Sequence, residues 1–242
     1  MKTIEAIYKR KSTRTFLTKK IDRNIVNEIL QAGLQAPSPK NDQPWHFLVV
    51  EQREIRFEVA RILEFQLKEI KQNNDSLGIS RPDILGAFES ARVLREAPVF
   101  IFVYMDDEKC IGHDDSVEWK LSARDSECTH VMAIGAAIQN ILLAATEKGV
   151  DSLWIGDIFY AYNSLHEYLG VDGCMMALIA LGYSRESTSK ATRKDFDESV
   201  SFFNNFRVKT GATYSQLCRL SSKTATCAIL SGQRESYYPA GH

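Results

Sequence analysis

The run Val99-Phe100-Ile101-Phe102-Val103-Tyr104 constrains this chain more than any other stretch. Six consecutive β-favouring residues, opened by Pro98, show no polar alternation. The run therefore reads as a strand covered on both faces. A second constraint comes from residues 127–148. Val131, Ile134, Ile138, Ile141, Leu142 and Ala145 make one apolar stripe, and Ala133, Gly135, Ala136, Ala137 and Ala144 surround it with small residues. A helix apolar nearly all round is buried on several sides, as a core helix or a subunit interface. Gly149 is placed to cap its end.

The rest of the pattern alternates helices with strands. Apolar spacing predicts helices over 2–9, 22–35, 54–72, 83–94 and 163–169, and strands over 47–50, 153–155 and 175–181. Asp22 is a candidate N-cap, and Pro37 stops the helix that follows it. Residues 105–122 are polar and irregular. The alternation points to a layered α/β or α+β domain, expected over residues 1–205. From about Phe206 the chain turns rich in Ser and Thr without a period, so 206–242 reads as an extension of uncertain structure, poorly ordered or wrapped on a partner.

Composition narrows the function classes. Thirty basic and 31 acidic residues leave the chain near neutrality, which argues against a nucleic-acid or membrane-surface binder. No apolar run reads as a signal peptide or a membrane span. Five cysteines form no CxxC pair and no metal-finger spacing. With no export signal they read as reduced thiols of a soluble cytoplasmic protein. There is no GxGxxG, no GxxxxGK[ST] and no HExxH. His113-Asp114-Asp115 reads as a solvated loop rather than a metal site. A chain without an evident acid, base or nucleophile either is not an enzyme or leaves the chemistry to a cofactor.

Four elements remain. Arg10-Lys11-Ser12-Thr13-Arg14 spaces two arginines around a hydroxyl, a pattern suited to a phosphate but equally to a solvated basic run. Pro37-Ser38-Pro39-Lys40-Asn41-Asp42-Gln43-Pro44-Trp45 stiffens a turn with prolines and fixes two amides, which suit the edge of a planar heterocycle, or simply cap the strand after it. Leu153-Trp154-Ile155-Gly156 ends a strand in a glycine, where a flat ligand could approach, or where the strand bulges. Arg193-Lys194 adds charge near the far end.

Together the motifs Arg10-x-Ser12-x-Arg14-x-Phe16, Pro37-Ser38-x-x-Asn41-x-Gln43-Pro44-Trp45, Gly149-x-x-Ser152-x-Trp154-Ile155-Gly156, Leu181-Gly182-Tyr183 and Arg193-Lys194 resemble the FMN-dependent nitroreductase family over roughly residues 2–203. The resemblance implies a three-layer α+β fold, a central mixed or antiparallel sheet wrapped by helices, and an intertwined homodimer centred on helix 127–148. It implies FMN at the subunit interface and NADH or NADPH as co-substrate. Arg10, Ser12, Arg14 and Lys11 would hold the phosphate and ribityl end, joined by Arg193 and Lys194. Pro37, Ser38, Asn41 and Gln43 would approach the flavin from the partner subunit, and Leu153, Trp154, Ile155 and Gly156 would lie along its ring near N5. No metal and no catalytic side chain are implied; a small-molecule electron acceptor is. Trp119, in the variable segment 105–126, is a candidate cover for the flavin face. Two other readings stay open on the same residues: a flavin-binding or sensing protein with little turnover, and a specialised flavin enzyme such as a reductive dehalogenase or one that consumes its own flavin.

Overall fold

The computed structural model describes residues 2–72, 81–109, 121–185 and 191–202, with backbone alone at 81–83, 109 and 121–125. It divides into two units, Met1–Ala191 and Thr192–His242. The expected boundary at 205/206, the extension 206–242, His113 and Trp119 all lie outside the described residues.

The first unit is built on β3 (Val99–Met105), all seven residues of which are buried. β3 pairs antiparallel with β2 (Trp45–Val50) on one side and with the long β5 (Cys174–Ser184) on the other. The free edge of β5 then takes two short strands: β4 (Asp151–Ile155) beside Leu178 to Gly182, and β1 (Phe16–Leu17) beside Tyr183 and Ser184. Every strand pairing described is antiparallel.

The two faces of β3 explain its unbroken apolar sequence. Phe100, Phe102 and Tyr104 point into one core cluster, shared with Val59, Leu63 and Leu67 of α3 (Arg53–Gln72), Ala91 and Leu94 of α4 (Arg81–Glu96), and Leu165 of α6 (Tyr162–Leu169). Val99, Ile101, Val103 and Met105 point into the other, shared with Val26 and Ile29 of α2 (Arg23–Leu34) and with α5 (Leu121–Glu147). Helices thus cover both faces of the sheet in three layers, as the doubly buried strand requires.

α5 supplies Ala133, Ile134, Ala137, Ile138, Ile141, Leu142 and Ala145 to that second core. By length and composition its segment Ser126–Glu147 could also cross a bilayer. Its apolar character is accounted for by packing: small residues let α2 lie close, so that a Cβ on Gly33 would sit 2.7 Å from Ile141 Cγ1, and Asn140 Nδ2 donates to Ala32 O at 3.2 Å. The helix also begins six residues before the expected start, because its first turns are polar in sequence and carry no apolar stripe. α1 (Thr3–Lys9) completes the unit.

Cys174, at the start of β5, is disulfide-bonded to a partner outside the described residues. The expectation of five reduced thiols does not hold there. Cys128 is free and exposed. In the second unit, α7 (Phe196–Ser199) is short and fully exposed.

Candidate functional site

The segment 10–16 is a strand-like strap laid against the sheet edge. α1 ends at Arg10, whose N–H donates to Ala6 O at 2.9 Å and whose φ and ψ of −54° and 131° turn the chain into extended backbone. Ser12 then bridges Ser152 of β4 in parallel sense, and Thr13 N–H donates to Ser152 O at 3.0 Å. Thr13 is wholly buried, and its Oγ1 donates to Asp151 Oδ1 at 3.3 Å. The second oxygen of Asp151 accepts from Ser184 N–H at 2.8 Å, so one carboxylate ties the strap, β4 and β5 together. Further along, Arg92 Nη2 donates to Arg14 O at 3.2 Å, and Glu96 Oε2 accepts from Phe16 N–H at 3.0 Å.

What the strap presents outward is cationic. Thr13 points in, Ser12 and Arg14 are exposed, and Arg10 and Lys11 are half-buried. None of Arg10, Lys11 or Arg14 meets a carboxylate among the described residues, although Lys9 next door pairs with Glu5 at 2.8 Å. The strap therefore carries three cations without a carboxylate partner among the described residues on a backbone pinned by hydrogen bonds, an arrangement suited to an anion.

β4 places the next group. Leu153 and Ile155 are buried in the α3/α4 core, so they reach a ligand only through backbone. Trp154 pairs across from Ile179, whose side chain lies on the α5 face, and is itself 47% exposed there. Gly156 continues the chain at φ −93° and ψ −17° into the 3-10 turn Asp157–Ala161. A Cβ built on Gly156 meets nothing within 4 Å. Among the described residues neither backbone strain nor packing requires a glycine there, and no bulge is found in β4.

The turn at 37–45 is stiffer than its prolines alone would make it. Lys40, Asn41 and Gln43 adopt positive φ of 51°, 60° and 49°, left-handed backbone rarely held by non-glycine residues. Ser38 Oγ accepts from Gln43 N–H at 2.9 Å, Asn41 N–H donates to Ser38 O at 3.1 Å, and Gln43 Nε2 donates to Asn41 O at 3.3 Å. Pro44 and Trp45 are buried, anchoring the exit into β2. Asp42, which the sequence did not single out, accepts a contact from His130 of α5: Nε2 lies 3.0 Å from Asp42 Oδ2, while Nδ1 lies 2.7 Å from Ser126 O. Ser38 is thus a bracing group for the turn, whereas the Asn41 side chain stands exposed with no hydrogen-bond partner among the described residues.

The structure brings 10–14 and 153–156 together through the Ser12–Ser152 bridge. Among the described residues, no hydrogen bond or strand pairing joins either of them to 37–43. Arg193 and Lys194 lie in the second unit, exposed, just before α7. No group of three His, Cys, Asp or Glu side chains gathers among the described residues. Thr13, Asp151, Arg92, Glu96 and His130 escaped sequence reading because each acts on a partner 78 to 138 residues away.

An antiparallel sheet sandwiched by helices, with a basic strap along its edge, defines a three-layer α+β protein. The family model of the nitroreductase family matches residues 7–183, and the chain belongs to that family. The match includes the strap, the turn and β4, and stops before Arg193. A provisionally named NADH dehydrogenase/NAD(P)H nitroreductase of Archaeoglobus fulgidus is 29% identical over 211 residues, 85% of this chain and 95% of the relative. Among solved structures, a provisionally named nitroreductase in complex with FMN from Desulfovibrio desulfuricans aligns with TM-score 0.61 and 26% identity, covering 83% of this chain and 95% of that one. A BluB-like flavoprotein from Clostridium difficile 630 has the same fold, with TM-score 0.68 and 24% identity over 84% of this chain and 99% of the other.

Proposed function

We propose that this chain is an FMN-dependent oxidoreductase that takes a hydride from NADH or NADPH and delivers electrons to nitroaromatic, quinone or similar small acceptors. The observation that carries the reading is the pinned strap with three unpaired cations beside a glycine-ended edge strand. The residues fit FMN: Arg10, Lys11 and Arg14, with Ser12 as a hydroxyl donor, match a phosphate and ribityl chain. The space over Gly156 and the exposed face of Trp154 match a planar ring. When bound, FMN supplies the hydride chemistry at N5, and no side chain of this protein need act as acid, base or nucleophile.

The protein's part is positional. The strap holds charge where a phosphate sits, and the backbone of Leu153 to Gly156 lines the ring without side chains in the way. The turn 37–43 offers Asn41 on a backbone already ordered, which saves roughly 1–2 kcal/mol per residue of ordering on binding.

The site is shared between two chains of a homodimer. Support comes from apolar side chains left exposed around it: Ile4, Ile7 and Tyr8 on α1, Val131 and Met132 on α5, and Trp154 on β4. Stable dimers of this kind bury more than about 2,000 Å², and a second copy over these residues would deliver its 37–43 turn to the strap. The protein is soluble and acts in the cytoplasm.

Steady-state kinetics test the reaction. With one pocket over the flavin serving donor and acceptor in turn, double-reciprocal plots at several NAD(P)H concentrations run parallel. Intersecting lines would require a second substrate site.

A further inference from the structure

A cleft of about 740 Å³ opens where the loop after β1, the end of β2 and the start of α3 meet. It contains none of the cations assigned to the strap. Five others line it: Lys20, Arg23, Arg53, Arg56 and Arg95. Two of these are matched. Arg23 pairs with Glu51, and Arg95 makes two bonds to Glu64 at 3.0 and 2.7 Å. The remaining carboxylate in the lining, Glu96, is already occupied by Phe16 N–H and by Arg92, each at 3.0 Å. Lys20, Arg53 and Arg56 meet no carboxylate within bonding distance among the described residues.

Arg56 is the most constrained of the three. It is only 9% exposed, and its hydrogen bonds go to main-chain carbonyls: to Ala97 O, and at a long 3.4 Å to Glu51 O. Carbonyls orient a guanidinium without cancelling its charge, and a buried charge with no counter-ion is costly. Burial and then the neighbouring Arg53 both pull its pKa below the ordinary guanidinium value, with Glu54 opposing them. Arg53 is held too, its guanidinium carbon 4.9 Å from the centre of the Phe57 ring. Both arginines sit in the first turn of the 20-residue α3, where the helix dipole adds positive potential.

We propose that this cleft binds a phosphate-bearing anion, its phosphate held by Lys20, Arg53 and Arg56. Cations fixed on carbonyls and an aromatic ring, with both carboxylates of the lining already committed, leave the anion as the missing partner. The volume falls in the range of pockets that enclose a whole small molecule. Inorganic phosphate would leave most of it to water, so a phosphomonoester of nucleotide size fills it better. The inference is independent of what the strap binds.

Calorimetric titration of the full-length protein, with added FMN and low salt, tests it using AMP and inorganic phosphate as probes. Saturable binding is expected, with AMP tighter than phosphate; equal affinities would assign the site to free phosphate, since the cations would then be reading the phosphate alone. Lys20→Ala with Arg53→Ala, both at the rim, should weaken binding by about 100-fold, about tenfold for each charge-assisted contact removed. Arg14→Ala, on the strap, should leave it unchanged. Absence of saturation overturns the proposal. So does a double variant that binds as well as wild type, or binding abolished by Arg14→Ala.

Discussion

Asp151 is the point at which the strap depends on the sheet, and its removal has a calculable effect. In Asp151→Ala the bond from Ser184 N–H at 2.8 Å is lost; as a bond to a carboxylate it contributes roughly 1.5–3 kcal/mol. The Thr13 hydroxyl, wholly buried, loses its acceptor at 3.3 Å. That bond is long, so stranding the hydroxyl adds only about 1 kcal/mol, the low end of the penalty for an unpaired buried group. The total is about 2.5–4 kcal/mol, and at about 2–4 °C per kcal/mol in a domain of this size the melting temperature should fall by roughly 5–15 °C. Asp151→Asn keeps an acceptor for one of the two donors and should cost about half as much. Adding Thr13→Val to Asp151→Ala removes the stranded hydroxyl, so the double variant should lose less than the sum of the singles. Circular-dichroism melts of five proteins, wild type, Asp151→Ala, Asp151→Asn, Thr13→Val and the double variant, decide the matter. An Asp151→Ala protein that melts within about 1 °C of wild type would refute the reasoning, since the carboxylate would then carry none of the strap's attachment.

Gly182→Ala places a methyl 2.6 Å from Phe16 Cδ1 and 2.7 Å from Pro98 Cδ, neither of which can swing aside; chemical denaturation should show a loss of about 1–3 kcal/mol. Tyr104 is buried with its hydroxyl unpartnered among the described residues, so Tyr104→Phe should be neutral or slightly stabilising near pH 7 by the same measurement. Burial, with Tyr162 adding to it, pushes the Tyr104 phenol up to about 12. The folded state therefore holds that proton above the unfolded value near 10, and the stability it lends is lost as pH rises from about 10 to 12; Tyr104→Phe should flatten that decline. Arg14→Ala should raise the FMN dissociation constant by about 10- to 150-fold, read by flavin fluorescence, while hydride transfer at saturating FMN stays near wild type. Normal FMN affinity with lost hydride transfer would place Arg14 at the nicotinamide or acceptor instead.

Much of the architecture could be read in the sequence because burial writes itself into residue type. β3 is apolar at every position since both its faces are covered, and α5 is small and apolar since α2 and the sheet close on it. β1 could not be read. It is two residues long and exists only through pairing with Tyr183 and Ser184, far along the chain. The turn at 37–45 announced rigidity through its prolines, yet three non-glycine residues at positive φ leave no trace in residue type, and Ser38 turned out to brace the turn. For the site, the outward cations were visible as Arg10, Lys11 and Arg14, whereas what pins them, Thr13 on Asp151 and Arg92 on the Arg14 carbonyl, is a matter of tertiary contact. The disulfide at Cys174 was invisible for the same reason: spacing cannot report a pairing made by the fold.

The central claim is that the strap, β4 and the turn hold a flavin that a nicotinamide can reduce. Anaerobic addition of NADH or NADPH to the FMN-reconstituted protein, followed by its visible absorbance, tests this most directly. The account predicts one FMN per chain, bound by a dimer, bleached rapidly by at least one of the two nicotinamides and recoloured by a quinone or nitroaromatic. A protein that takes up no FMN, or whose bound FMN stays oxidised with both nicotinamides, would contradict it.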